Sequence, residues 1–266
     1  MTNEVRKKHK RMGGKKVYDK IKPEMENAGI KCGRNKYFNI LREENLLVKY
    51  RKRFVKTTQS HHRFYKYPNL IESMVIHRSE QVWVSDITYI KTKKGFMYLF
   101  LITDAYSKQI MGYDLSDNLK TINAIKALKR AIKNRIYPNR KLIHHSDRGI
   151  QYCNPSYIEI LENKEIGISM TSKYDPYENA VAERVNGILK TEYEIGGGFI
   201  NEKDARREIN HAIYLYNTDR QHLSCNMMTP IDAHKTENYE LKKWPSKFSS
   251  RDMSLDENNI LFLNDF

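Results

Sequence analysis

A chain of 266 residues with 39% hydrophobic content can bury one large core and a smaller one, which excludes a disordered tail. Its formal net charge is +15, and residues 1–80 hold 21 Lys+Arg against 8 Asp+Glu, so the excess cation is local; such a region suits a polyanion such as DNA as well as it suits a solvated face. No apolar run is long enough to span a membrane and no signal-peptide pattern opens the chain, while Cys32, Cys153 and Cys225 lie too far apart for a zinc knuckle or a disulfide framework, which points to a cytoplasmic protein with reduced thiols.

Taken in chain order, residues 15–29 carry Val17, Ile21 and Met25 at four-residue spacing and end at Gly29, which predicts a helix despite Pro23. A second helix is predicted from about Asn35 to Asn45, with Phe38 and Leu41 on one face and Arg34, Lys36 and Arg42 elsewhere. Two helices joined by a short turn, the second rimmed with cations, fit a small all-α helix-turn-helix-like region over 1–47, and a plain packing subdomain fits as well. Residues 48–80 mix Lys and Arg, Lys52 and Arg53 among them, with Phe and Tyr; they read as a basic linker able to follow a phosphate backbone. His61-His62 lacks cysteine partners and belongs to that linker.

From residue 81 the pattern changes to strands: "QVWVSDITYIKT", a Lys93-Lys94-Gly95 turn, "FMYLFLITDAYS" and "QIMGYDL". "TINAIKALKRAIKNRI" follows at helical spacing, then the short strand "KLIHHSD", a helix near 155–166, the strand "GISMTS", and a helix within "DPYENAVAERVNGILKTE". This order argues for a mixed α/β sheet flanked by helices over 81–235, followed by a tail at 236–266 with no firm pattern.

Three carboxylates stand out. Asp86 lies mid-strand among apolar and β-branched neighbours, where a charge is costly unless paired or bound to a metal. Asp147 ends a strand before the Gly149 turn, where ligands gather in open α/β sheets, although turn and cap roles are common there. Glu183 leads a helical stripe of Asn179, Asn186 and Lys190, while Asp175, Glu178 and Glu192 suit capping or dipole roles. Lys190 lies about 10 Å below Glu183 along the helix axis. Alternation turns His144 away from the neighbouring His145, towards the core.

"WVSDITYI", "HHSDRGIQY" and "ENAVAERVNGILKTE" resemble the three signature blocks of the Asp-Asp-Glu transposases and integrases, specifically the second-frame transposase of the IS-three family of bacterial insertion sequences. Thirty-five residues separate Asp147 from Glu183, which is that family's interval, and a Lys follows Glu183 by seven positions. "LYNTDRQHLSCNMMTP" resembles the family's closing segment, with Gln221 where a Pro is usual; Glu178 stands at the customary Asp position.

The resemblance implies an RNase H-like five-stranded mixed sheet and a DNA transposase. Asp86, Asp147 and Glu183 would be both catalytic residues and ligands of Mg²⁺ or Mn²⁺, two ions in all, with Asp86 bridging them. Lys190 and Asn179, with His145 or Arg148, would touch DNA near the scissile phosphate. Partners would be double-stranded DNA, at element ends and target, and at least one further copy of the chain, with an upstream-frame product fused or associated. Two rivals are a silent DNA-binding relic and an RNA-cutting nuclease on a similar sheet.

Overall fold

The computed structural model describes residues 1–48, 63–172, 179–236 and 239. Three helices come first: α1 (Thr2–Lys8), α2 (Gly14–Asn27) and α3 (Arg34–Glu43). Met12, Val17, Ile21 and Met25 interlock with Tyr37 and Leu41 in a small separate core. The four-residue spacing read from the sequence therefore does bury one face of α2, and Pro23 stays inside that helix. On α3 the buried aromatic is Tyr37, with Phe38 only partly covered.

The larger unit is a five-stranded sheet in the order β3-β2-β1-β4-β5. Its strands are β1 (Val82–Thr92), β2 (Gly95–Asp104) and β3 (Ile110–Ser116), joined antiparallel, then β4 (Ile143–Ser146) and β5 (Gly167–Met170), each parallel to its inner neighbour. Helix α4 (Thr121–Lys133) separates β3 from β4, α5 (Pro155–Glu162) separates β4 from β5, and α6 (Ala180–Glu192), α7 (Glu202–Thr218) and α8 (Pro230–Lys235) follow. Parallel strands need such crossovers, which is why β4 and β5 each come after a helix.

The two-residue period of β1 divides the core. Trp83 and Ile87 face the layer of α4 and α5, whereas Ile90 faces α6 and α7. Helix α4 sits unusually close to β3: a Cβ added to Gly112 would lie 2.2 Å from the Ala127 carbonyl oxygen and 2.5 Å from the Ala131 nitrogen. Ala124, Ala127 and Ala131 supply the matching small face of the helix.

The described part of the expected linker is not free. Leu70 N donates to Ser169 Oγ at 2.9 Å and Met170 N donates to the Pro68 carbonyl at 3.2 Å, along the outer strand β5. Ile71, Met74 and Ile76 pack on Val82, Val84, Ala105 and Ala182. Their apolar side chains, inconspicuous in a basic stretch, gain more from covering the sheet than from solvation.

At the start of β1, Glu80 is fully buried with φ of 55°, in the left-handed region. Its backbone N–H donates to Asp104 Oδ2 at 2.7 Å. Its carboxylate receives Arg135 Nε at 2.8 Å and Ile136 N at 2.7 Å, with His234 Nε2 at 3.4 Å. The group thus joins the sheet, the end of α4 and α8. Burial alone would raise the Glu80 pKa; hydrogen bonds from His234, Arg135 and the Ile136 and Tyr137 backbone outweigh it and hold the group at about 2, against an ordinary 4.5.

Two stability outcomes follow from these contacts. Gly112→Ala should push α4 off β3 and lower the stability measured in urea by roughly 3 kcal/mol. Glu80 has a folded pKa below its unfolded one, so its contribution of about 3 kcal/mol is present above pH 4.5 and fades as pH falls towards 2. Glu80→Gln should abolish that segment of the acid-unfolding profile, read by circular dichroism.

Candidate active site

Parallel pairing of β1 with β4 brings Ser85 opposite Ser146. The next residue along the chain is Asp86 on β1 and, just past the end of β4, Asp147, and the two carboxylates interact electrostatically. Asp86 is half-buried on β1, opposite Leu101 of β2. Its Oδ1 accepts the Ile87 amide at 2.8 Å and its Oδ2 accepts Asn186 Nδ2 at 2.7 Å. Burial, then the negative charge of Asp147 and finally that of Glu183, push the Asp86 carboxyl up to about 7 against the pull of those two donors. Such like-charge crowding marks a site short of positive charge.

Asp147 follows the last residue of β4, and its Oδ1 accepts the Gly149 amide at 3.0 Å. A Cβ on residue 149 would come within 2.9 Å of that oxygen, so the glycine leaves the carboxylate its room. Glu183 lies in the first turn of α6, exposed, with its carboxyl raised by the protein around it. Among the described residues, no three His, Cys, Asp or Glu side chains are gathered tightly enough to hold one metal ion. Asp147 and, more weakly, Glu183 of α6 both act electrostatically on Asp86.

The remaining predicted residues divide. Lys190 is partly buried on α6, and burial lowers its pKa while Asp86 opposes that. It makes no hydrogen bond or ion pair with the described residues. Arg148 is half-exposed in the loop beside Asp147. Asn179 and His145, expected at DNA, are turned inward. Asn179 is buried and donates Nδ2 to the Ser85 carbonyl at 3.0 Å, fastening the start of α6 to β1. His145 is fully buried, with Nδ1 at 2.8 Å from Ser169 Oγ. Buried polar side chains need partners, and here the β1 backbone serves Asn179 and the neighbouring strand β5 serves His145. His144 is buried as alternation predicts, with Nε2 at 2.6 Å from Ser85 Oγ and 2.9 Å from Tyr157 Oη. Burial and then His145 push it down to about 3.

Arg34, Lys36 and Arg42 stand exposed on α3, in the separate helical unit. Lys52 and Arg53 lie outside the described residues.

Two supports are legible in the sequence only as a member of the polar stripe and as a helix-end acid. Asn186 belonged to the polar stripe, yet it is buried and ties α6 to Asp86; its spacing of three from Glu183 was the available signal. Glu192, at the far end of α6, is held from both oxygens by Arg220: Nη2 to Oε1 at 2.7 Å and Nε to Oε2 at 2.8 Å. Arg220 also donates Nη1 to His222 Nε2 at 2.8 Å. Burial disfavours both charges, but the pair holds Glu192 below its usual range and Arg220 above its own. Helix α6 is thereby fixed at both ends, through Asn179 and Glu192.

This sheet, with a carboxylate on its central strand and another beside it, defines an RNase H-like integrase core. The Integrase core domain family matches residues 76–176 and again 164–230. The 31 kDa protein of insertion element IS600 from Shigella sonnei is 34% identical over 213 residues, covering 79% of this chain and 78% of that protein. Transposase InsF of insertion sequence IS3A from Escherichia coli (strain K12) is 32% identical over 192 residues, 71% of this chain and 66% of InsF. The chain belongs to the integrase-core transposases of the IS3 (IS-three) family of bacterial insertion sequences. A cryo-EM structure of a simian T-cell lymphotropic virus intasome, in complex with a regulatory subunit of PP2A, aligns with a TM-score of 0.51. That likeness covers 94% of this chain and 81% of the other at 16% identity, and concerns the fold. No helix among the described residues is long and apolar enough to cross a membrane.

Replacing Arg220 by Leu should strand a largely buried Glu192 carboxylate and lower stability by about 3–5 kcal/mol in denaturant titration. The double replacement Glu192→Leu with Arg220→Leu should recover much of that loss, because both charges then leave together.

Proposed function

We propose that this chain is a DNA transposase that cuts at insertion-sequence ends and joins them to target DNA. The reading is carried by one observation: Asp86 and Asp147 emerge together from adjacent parallel strands, and the ionisation of Asp86 is suppressed by Asp147 and Glu183. Carboxylates that repel each other beside an electrostatically linked third suit a hard divalent cation. The all-oxygen donor set favours Mg²⁺ or Mn²⁺ over zinc. Asp86, Asp147 and Glu183 would hold the metal, two ions in the full form, with Asp86 shared. Bound there, the metal supplies charge neutralisation for the carboxylates and for the attacking and leaving oxygens of an in-line displacement at phosphorus.

The chain's own groups do the rest. Asn186 and the Ile87 amide orient Asp86 by holding one lone pair on each oxygen, leaving the others for ligands. Lys190, a half-buried ammonium that interacts electrostatically with Asp86, offers its charge to a DNA phosphate on the face of Glu183. Arg148, in the loop beside Asp147, would meet the same strand. The exposed Arg34, Lys36 and Arg42 of α3, with Lys52 and Arg53, supply sequence-independent hold on the duplex. The same site serves cutting, with water attacking, and joining, with a DNA 3′-hydroxyl attacking. Joining two ends requires at least a dimer, and the work is done in the cytoplasm on the bacterial chromosome. An upstream-frame product, fused or associated, would complete the assembly.

The test is cleavage of a labelled duplex carrying the terminal sequence that brackets this frame, with Mg²⁺ and with chelator. Asp147→Asn should bind the duplex as the parent does and lose more than about a hundredfold in cleavage. Full cleavage by that variant would remove Asp147 from the site, and binding without cleavage by the parent would favour a silent relic.

A further inference from the structure

The N-terminal helices are seated on the catalytic unit through a compact polar contact. His9, only 1% exposed, reaches two residues of the larger unit: Nε2 lies 2.7 Å from Asp219 Oδ2 and Nδ1 lies 3.0 Å from Tyr193 Oη. Lys20 Nζ donates to the Asp219 carbonyl at 3.0 Å and to its Oδ1. The Arg11 amide donates to the Glu192 carbonyl at 3.1 Å, and Lys16 Nζ stands 3.9 Å from Glu192 Oε1 with both side chains largely covered. Charges shielded in this way are costly to separate, because each would face burial without its partner.

The position of the contact matters more than its strength. Glu192 closes α6, and Glu183 sits in the first turn of the same helix, nine residues and about 13 Å away along the axis. Asp219 caps α7, immediately before the Arg220 that grips Glu192. These anchors therefore lie at the end of α6, which carries Glu183, and at the end of α7 beside it. The exposed cations of α3 stay clear of the contact.

We propose that this contact, centred on Asp219 and Glu192, is a ruler: it fixes the spacing between the duplex held by the N-terminal helices and the phosphate presented to Glu183, and so selects which bond of an element end is cut. Asp219, Lys20 and His9 are positioning residues in this scheme and touch no reacting atom. The inference rests on the transposase reading given above.

The Arg11 amide reports docking without DNA, since its hydrogen bond crosses the contact. In the full-length chain, Asp219→Ala should lower the exchange protection of that amide at least about tenfold. Affinity for the labelled end duplex should stay within about threefold of the parent, and cleavage should spread from one phosphate to several neighbouring ones. Lys20→Ala should act in the same direction more weakly. Asp219→Glu, which keeps a carboxylate for His9 and Lys20, should retain both protection and a single cut position, whereas Asp219→Asn, which keeps the size and loses the charge, should retain neither in full. An undocked variant that still cuts at one phosphate overturns the ruler alone. A parent chain that cuts no duplex overturns the transposase reading and the ruler with it.

Discussion

A carboxylate in the middle of a central strand is the constraint around which this molecule is arranged. β1 is paired on both edges, so Asp86 cannot be moved to solvent without breaking the sheet. Its charge is disfavoured by burial and by two other acids, while the Ile87 amide and Asn186 each hold one oxygen and pull the other way. An arrangement that spends stability on like charges is common where chemistry needs them, and the rest of the fold supplies the stiffness that keeps them together.

That stiffness has identifiable sources. Helix α6 is pinned beside β1 by Asn179 at one end and by the Glu192–Arg220 pair at the other, so the helix that presents Glu183 and Lys190 cannot slide along the sheet. On the opposite layer, Gly112 lets α4 lie against β3 at backbone distance. Glu80 joins the beginning of β1 to α4 and α8 through hydrogen bonds that outweigh its burial. The face that carries Asp86 is thus backed by polar staples whose partners come from distant parts of the chain, and the N-terminal helices are fastened to the same frame.

Much of the architecture was legible beforehand. The strand and helix order followed from periodicity, because a two-residue or four-residue apolar repeat is a local property that any segment displays by itself. The α2 face of Val17, Ile21 and Met25 and the inward turn of His144 are of this kind. The burial of Asn179 and His145 is not legible in the sequence for the complementary reason. A polar side chain next to a site looks the same in sequence whether it faces DNA or a neighbouring backbone, and here Ser85 and Ser169 are the partners. Arg220 and Glu192 lie 28 positions apart, and no spacing rule joins them.

By itself the sequence determined the elements, their order, the basic N-terminal third and the candidate acids Asp86, Asp147 and Glu183, since composition, period and motif spacing are carried by the chain. The tertiary structure alone decided which acids share a field, which polar groups are consumed as supports, and where the N-terminal helices rest. Those outcomes depend on strand register and on burial, which raise or quench a charge according to neighbours brought in from far along the chain.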